Sequence, residues 1–289
     1  MVFSELISTV TIGLAMSAIF FLLSVGLSLS YGLMRIVSLD QFLYYSLGAY
    51  MTYVLTANSG SFWLGLLIGV VVACAIGWCI EKALYERIHQ KELMFSMIIS
   101  YGLLLMGMGA MKYVWGLVPR PVLTPIPGHI SVLGATLSAY RFAVIGLAVA
   151  IYIALKLFLD RTIVGKAIRA GIEDVEKTQG LGINIYMIFT IAFLVSVSLS
   201  AVAGALHAPL IMVEPQMGLE ILPTAFMIVI IGGLGSLKGT VVSSLIVGQV
   251  VAFGFRIWAP GAEMAPFLIM LLIFLVRPMG LYGSIYLRR

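Results

Sequence analysis

The sequence predicts an all-α polytopic membrane protein, a single transmembrane domain over residues 1–289, with broken or re-entrant segments among its helices. Hydrophobic residues make up 62% of the chain and charged residues only 10%, whereas soluble domains have about 45–50% and 25%. Long uncharged runs recur, and about 20 helical residues cross the roughly 30 Å hydrocarbon core of a bilayer. A soluble globule is excluded because too few charges remain to cover its surface. Disordered chains are charged and poor in aromatic residues, and two cysteines cannot form a disulfide scaffold.

The uncharged runs predict about eight or nine transmembrane helices. Helices are favoured over a β-barrel because the runs are continuously apolar and do not alternate. The last three runs are short and rich in Gly and Pro. An alternative interpretation is that one or two of them form half-helices, and eight crossings is then the alternative count. The predicted crossings are 8–31, 41–57, 62–80, 93–111, 142–159, 184–207, 219–235, 239–256 and 264–276.

The distribution of basic residues predicts the orientation. If the charged stretch 160–182 is cytoplasmic, 13 of the 17 Lys and Arg residues lie inside and four lie outside. Such an excess follows the positive-inside rule and places the N-terminus outside and the C-terminus in the cytoplasm. The net charge of +5 therefore indicates orientation. It forms no basic stripe of the kind that nucleic-acid binding needs.

Two segments interrupt the predicted spans on the outer side. Residues 113–140 form the longest outer loop, whose four prolines exclude a regular helix; residues 129–137 could form a small hairpin around Gly134. This loop is either a surface for a soluble partner or a spacer. In residues 208–223, Pro209, Pro215 and Pro223 are expected to break the helix, which predicts either a re-entrant element lining a path or an ordinary outer loop.

Residues 160–182 form the longest predicted cytoplasmic segment. Two short helices meeting near Gly171 fit the pattern, with Thr162 as the cap of the first. Ile163, Ala167 and Ala170 share one face at helical spacing, and Glu173 and Lys177 form an i,i+4 pair. Eight formal charges interleave with small apolar residues. This mixture favours a docking face for a cytoplasmic protein over a solvated loop.

Asp40 is the most informative charge, because it stands with Arg35 in a short polar break between two apolar runs. A carboxylate within the membrane is costly and by default indicates function. The alternative is an interfacial carboxylate that pairs with Arg35 or caps the following helix. The predicted substrate-path residues are Ser38, Asp40, Gln41, Tyr44 and Glu214.

Enzyme chemistry finds no support in the sequence. The glycine-rich run 231–240 has no GxxxxGK[ST] and follows no soluble strand, so a tight turn is favoured over a nucleotide site. The three histidines are scattered. Cys74 and Cys79 are five residues apart in one span, so no metal site is predicted. The chain is expected to be non-catalytic and to bind no cofactor.

Three blocks of sequence, in order, resemble the membrane permease subunits of branched-chain amino acid ABC importers, a group that also serves amides, urea and aromatic acids. The sequence departs from the family at one point. The family usually carries an Asn-Phe-Ala-His-Gly-like stretch, but residues 38–42 at this position contain neither the His nor the Gly. This difference puts the identity of the substrate in doubt. The blocks are Gly26-Leu27-Ser28-Leu29 with Tyr31-Gly32, Arg35-Ile36 and Leu47-Gly48-Ala49-Tyr50; Thr162 with Gly165-Lys166-Ala167-Ile168-Arg169-Ala170, Asp174 and Gly180-Leu181-Gly182-Ile183-Asn184; and Ala203-Gly204-Ala205-Leu206 with Pro209 and Gly232-Gly233-Leu234-Gly235-Ser236-Leu237-Lys238-Gly239.

The resemblance implies a permease of a bacterial inner membrane that works by alternating access. Its implied partners are a second, homologous permease, two cytoplasmic ATPase subunits that hydrolyse ATP, and a periplasmic substrate-binding protein. It also implies that 160–182 couples the permease to the ATPase. A self-sufficient channel or secondary transporter is the alternative, suggested by Asp40, Glu214 and Glu220. The implied coupling residues are Arg161, Thr162, Gly165, Lys166, Arg169, Ala170 and Asp174.

Overall fold

The computed structural model describes residues 2–34, 36–87, 93–132, 135–262, 264–277 and 280–282. Its elements are α1 (Val2–Met34), α2 (Gln41–Ser59), α3 (Phe62–Ala83), a 3-10 turn (Tyr85–Arg87), α4 (Leu93–Trp115), β1 (His129–Val132), β2 (Ala135–Ser138), α5 (Ala139–Arg161), α6 (Ile163–Glu173), α7 (Val175–Gly180), α8 (Ile185–His207), α9 (Met217–Gly232), α10 (Leu237–Ile257), α11 (Ala259–Ala262) and α12 (Ala265–Val276).

Every predicted crossing corresponds to one of these helices, which confirms the all-α polytopic fold. Six helices of the described chain are long and apolar enough to cross a membrane: α1, α3, α4, α5, α8 and α10. The apolar helices α9 and α12 are shorter. The 16 residues of α9 extend about 24 Å at 1.5 Å per residue, less than the roughly 30 Å hydrocarbon core. A short helix at this position agrees with the predicted half-helix.

The helix α1 lies at the centre of the bundle and packs against α10, α8, α5 and α9. In the most apolar 18-residue stretch of α1, 61% of the residues are buried, compared with 22% in the corresponding stretches of α3, α4 and α5. The outer helices therefore present most of their apolar surface to the surroundings of this chain, as lipid-facing helices do. Small residues allow the inner helices to touch: a side chain at Gly48 would press on the backbone of Ala201, and one at Gly204 on that of Tyr45.

The bundle has two distinct ends. At the hairpin end, Glu5 of α1 forms an ion pair with Arg256 of α10 at 2.6 Å, and β1 pairs antiparallel with β2. This confirms the hairpin predicted over 129–137, although Leu133 and Gly134 lie outside the described residues. At the opposite end, called the α6 end, Gly32 of α1 packs against Gly235 in the α9–α10 turn, and Gly171 of α6 packs against Leu33.

The segment between α8 and α9 enters the bundle. Residues 208–216 are not helical, and Ala208, Val213 and Pro215 are buried. A side chain at Gly218, at the start of α9, would lie 2.6 Å from the carbonyl oxygen of Phe42 in α2. The helix α9 therefore begins beside the first turn of α2, as a broken or re-entrant element does.

One expectation for this segment is wrong. Pro223 does not end a helix but lies inside α9. A proline removes the N–H that would bond to the carbonyl four residues earlier. Packing against neighbouring helices tolerates this loss in membrane helices.

Candidate functional site

Most of the predicted path residues meet in a buried polar group, called the Asp40 cluster, which comprises Ser38, Asp40, Gln41, Tyr44 and Tyr85. Asp40 has no solvent-exposed surface. Tyr85 lies in the 3-10 turn that follows α3, and its hydroxyl donates a hydrogen bond to Asp40 Oδ1 at 2.8 Å. The Tyr44 hydroxyl, one turn into α2, donates to Oδ2 at 3.1 Å. A buried carboxylate needs such donors, because burying it unpaired is costly.

This geometry corrects one predicted role of Asp40. The residue occupies the N-cap position of α2, but its side chain makes no capping hydrogen bond. Only its backbone carbonyl takes part, accepting from the amide of Leu43 at 2.9 Å. The carboxylate is instead engaged by the two tyrosines and is fully buried within the bundle. Arg35, the other predicted partner, lies outside the described residues.

Gln41 connects the cluster to two further helices. Its Oε1 accepts a hydrogen bond from Ser200 of α8 at 2.6 Å, and its Nε2 donates to Ser30 of α1 at 3.4 Å. Ser38 is buried. Ser100 of α4 donates to the carbonyl of its neighbour Val37 at 2.9 Å. The cluster therefore joins the break between α1 and α2 to α3, α4 and α8.

Glu214 lies apart from these residues. It is half-buried in the non-helical segment 208–216, beside Val213, whose backbone pairs with that of Arg120 from the outer loop. The structure thus brings four of the five predicted path residues together and leaves the fifth in another segment. Whether any of them lines a substrate path stays a prediction.

The predicted coupling segment folds as the two short helices α6 and α7. Thr162 caps α6, as expected, by accepting a hydrogen bond from the amide of Gly165 at 2.9 Å. The helices meet at Asp174 and not near Gly171, because Asp174 caps α7 by accepting from the amide of Lys177 at 3.0 Å. Gly171 instead lies buried within α6 against α1. The predicted meeting point is therefore wrong by three residues.

The ion pair in this segment also differs from the prediction. Lys177 pairs with Asp174 at 2.8 Å, whereas Glu173 was the expected partner. The side-chain hydrogen bond from Lys177 lowers the pKa of the Asp174 carboxyl below its usual value, and the same contact raises the pKa of Lys177. Asp174 therefore stabilises the first turn of α7 twice, by capping the helix and by pairing with the Lys177 side chain.

The buried face of α6 combines three small residues with one large residue, Ile168. Gly165, Ala167, Ile168 and Gly171 are buried, while Ile163 is 88% exposed. The three residues predicted to share one face, Ile163, Ala167 and Ala170, therefore differ in their burial. A side chain at Gly165 would lie 2.5 Å from Leu159 Cα of α5. Only a residue without a side chain lets α6 fold back against α5 this closely.

The opposite face of α6 is exposed and charged. Arg161, Thr162, Lys166 and Arg169 are exposed, and Ala170 and Asp174 are partly so. Arg169 is held by Asp160, the two lying 2.7 Å apart. Of the seven predicted coupling residues, only Gly165 is buried, and it positions the helix.

Comparison with known proteins matches residues 9–277 to the family described as "Branched-chain amino acid transport system / permease component". The chain belongs to this family.

Two relatives resemble this permease along almost its whole length. The high-affinity branched-chain amino acid transport system permease protein BraD of Pseudomonas aeruginosa is 25% identical over 94% of each chain. The corresponding LivH protein of Escherichia coli is 24% identical over 94% of this chain and 93% of its own. Among solved structures, PsaBC from Streptococcus pneumoniae in complex with Fab aligns with a TM-score of 0.48 at 15% identity, covering 92% of this chain and 91% of that one.

Sequence reasoning missed several members of the permease's buried polar network, among them Tyr85 and Ser200. Tyr85 and Ser200 are 45 and 159 residues from their partners Asp40 and Gln41. A tyrosine after an apolar span and a serine within one carry no local signal of such pairing. Among the described residues, no group of three or more His, Cys, Asp or Glu could hold a metal ion.

Proposed function

We propose that this chain is the permease subunit of an ABC importer for branched-chain amino acids or a related small polar or carboxylated solute. It would move solute by alternating access, driven by ATP hydrolysed on separate ATPase subunits. The chain itself is non-catalytic and binds no nucleotide in this proposal. Family membership supports it, as do the names of BraD and LivH, which are permease proteins of high-affinity branched-chain amino acid transport systems.

The proposed assembly contains a second, homologous permease, two cytoplasmic ATPase subunits and a periplasmic substrate-binding protein. It lies in a bacterial inner membrane, with the N-terminus of this chain outside and its C-terminus in the cytoplasm. The excess of basic residues on the α6 side supports this orientation.

The exposed face of α6 is the observation that carries the proposal. Ile163 is a large apolar residue, 88% exposed at the first position of α6. The helix behind it packs closely against α5 and α1 through Gly165 and Gly171. A force applied to this exposed face would therefore pass directly into two membrane helices.

Ile163→Asp tests the coupling role. Because Ile163 contributes little buried surface, the variant should fold normally and yet lose an apolar contact with the ATPase. We expect ATP-dependent uptake of L-leucine by the reconstituted complex to fall at least about tenfold, as truncation of an interface hot spot does.

Ile163→Val is the matched control, since it keeps an apolar β-branched side chain at the same 88% exposed position, and it should leave uptake nearly unchanged. Normal uptake by Ile163→Asp would contradict the coupling role of α6. Uptake by this chain alone in liposomes without ATP would instead establish the self-sufficient channel or secondary transporter.

A further inference from the structure

The loop that follows α4 contains a proline-rich segment, residues 116–128, called the strap. It begins at Gly116, with a φ of 79°, and ends at Gly128, with a φ of 139°. Glycine adopts such positive φ angles readily, whereas other residues rarely do. Four prolines lie between the two glycines, and each proline ring fixes its own φ at roughly −65°. The strap is therefore stiff along its length, with a glycine hinge at each end.

The chain just before the strap is anchored to the bundle. Trp115, the last residue of α4, stacks on Tyr50 of α2, with ring centroids 4.7 Å apart and ring planes 27° apart. Tyr50 is fully buried. Stacked aromatic pairs add to the stability that burial alone provides. A movement of the strap would therefore start at Gly116, directly after this fixed point.

The strap itself packs against the bundle through few side chains. Within residues 116–128, all of which the structure describes, Val122 is the one buried residue. Leu117, Val118 and Leu123 are 66%, 63% and 80% exposed. Segments with few buried apolar contacts open at a lower free-energy cost than packed helices do. The strap is thus the kind of segment that can leave the bundle without unfolding it.

Two backbone hydrogen bonds join the strap to the segment 208–216. The amide of Arg120 donates to the carbonyl oxygen of Val213 at 2.9 Å, and the amide of Val213 donates to the carbonyl oxygen of Arg120 at 2.8 Å. The two residues form an isolated antiparallel bridge, and Val213 is fully buried. This bridge holds the centre of the strap over the segment 208–216.

The neighbouring residues prevent the bridge from growing into a β-sheet. In an antiparallel ladder the next hydrogen-bonded pairs would be Val118 with Pro215 and Val122 with Ile211. Pro215 has no N–H to donate. The amide of Ile211 donates instead to the carbonyl oxygen of His207 at 3.3 Å. The bridge therefore stays a single residue pair, which can open without separating a longer strand.

The segment 208–216 needs a cover. It is not helical, and non-helical backbone at membrane depth is tolerated only where protein covers it or where it lines a water-filled cavity. Its buried Val213 is followed by Glu214, the predicted path residue that lies outside the Asp40 cluster. The strap supplies the cover at this point.

We propose that the strap is a releasable cover over the segment 208–216, which opens by breaking the Arg120–Val213 bridge while Trp115 stays stacked on Tyr50. Opening exposes Val213 and Glu214 on the outer side, where solute arrives on the orientation proposed above. The strap then gates the entry of solute. This gating role rests on the proposed function, whereas the opening itself does not.

Arg120→Pro and Arg120→Ala form a matched pair of variants. Both remove the charged side chain, but Arg120→Pro alone also removes the N–H that bonds to Val213. The backbone of Arg120 should accept a proline, because a residue that precedes a proline, as Arg120 precedes Pro121, is already restricted to extended conformations. A difference between the two variants therefore reports on the bridge.

Thiol labelling measures the opening of the strap. The full chain, with Cys74→Ala, Cys79→Ala and Val213→Cys, is placed in phosphatidylcholine nanodiscs and treated with a membrane-impermeant maleimide. We expect the introduced cysteine to react roughly fivefold to tenfold faster with Arg120→Pro than with Arg120→Ala, because one backbone hydrogen bond is lost. Leu137→Cys, at a buried position of β2, should stay unreactive in both variants, as it would not in an unfolded chain.

A disulfide tests the gating role. The Cα atoms of a hydrogen-bonded antiparallel pair lie about 5.5 Å apart, within the range that a disulfide spans. Arg120→Cys combined with Val213→Cys, oxidised in the reconstituted transporter, should therefore abolish ATP-driven uptake of L-leucine, and dithiothreitol should restore it. Each single cysteine variant cannot form this bond and should keep its uptake under the same oxidation.

The two measurements separate the proposals. Equal labelling rates in Arg120→Pro and Arg120→Ala would show that the bridge does not hold the strap and would overturn the inference. Full uptake by the disulfide-locked transporter would overturn the gating role and leave the proposed function standing. If the unmodified complex shows no ATP-driven uptake, the proposed function fails, whereas faster labelling of Arg120→Pro still establishes the releasable cover.

Discussion

The buried carboxyl group of Asp40 holds two tyrosine side chains from different parts of the chain. Its two carboxylate oxygens are each taken by a different tyrosine hydroxyl, one from α2 and one from the turn after α3. Leaving a buried carboxyl group without hydrogen-bond partners is costly, so these two donors stabilise its buried position. The carboxylate thus fixes the start of α2 relative to the end of α3.

A double-mutant cycle on Asp40→Ala and Tyr85→Phe tests this contact. We expect a coupling energy of about 1 kcal/mol, typical of a hydrogen bond within a protein. The measurement is the free energy of unfolding in detergent, obtained from denaturant titration of the purified chain. Tyr113→Phe on α4 is the control, because Tyr113 is 93% exposed and should show no coupling to Asp40. Coupling no larger than this control would mean that the hydrogen bond adds nothing to stability.

At this scale the sequence identified the charge but not its partners. A carboxylate between two apolar runs is conspicuous from hydropathy alone. Tyr85, however, stands 45 residues away, and its role depends on how α3 returns beside α2.

At the scale of elements, α6 is held by close packing of small residues. Gly165 faces α5 and Gly171 faces Leu33 of α1. Ile163 remains on the outer face with 88% of its surface exposed, where it is free to meet another protein. The helix is therefore attached firmly on one side and exposed on the other.

Gly165→Ala should separate α6 from α5. The added Cβ would collide with the carbonyl oxygen of Phe158 and lie 2.5 Å from Leu159 Cα, and backbone atoms cannot move aside as a flexible side chain can. We expect destabilisation by about 1–3 kcal/mol, typical of overpacking, and faster hydrogen exchange in residues 163–173. Gly146→Ala is the matched control, since a Cβ there meets nothing within 4 Å. Equal exchange in both variants would show that α6 tolerates a wider spacing.

Hydropathy predicted the helices well but not their ends. The apolar runs mark the residues in contact with lipid or core, whereas backbone hydrogen bonding carries α1 on to Val2 and Met34 and α4 on to Trp115. The break between α6 and α7 was misplaced for a related reason. A glycine predicts an interruption, but Gly171 packs against Leu33 of α1, and the capping side chain of Asp174 starts the next helix.

At the scale of the whole molecule, contacts divide the chain into two ends that agree with the predicted topology. Glu5 meets Arg256 at one end, and Gly32 meets Gly235 at the other. Each pair was assigned to a single side of the membrane from sequence. On that assignment 13 basic and eight acidic residues share the α6 side, and four of each share the hairpin side. The net charge of +5 then lies entirely on one face.

Cysteine labelling in intact cells and inverted membrane vesicles tests this orientation. In a chain lacking Cys74 and Cys79, Ser59→Cys at the exposed end of α2 should react with a membrane-impermeant maleimide in intact cells. Glu176→Cys on exposed α7 should react only in inverted vesicles. The expectation follows from the positive-inside rule, because basic residues resist transfer across the membrane. The reverse pattern would place α6 outside, where no ATPase could reach it, and would contradict both the orientation and the coupling role.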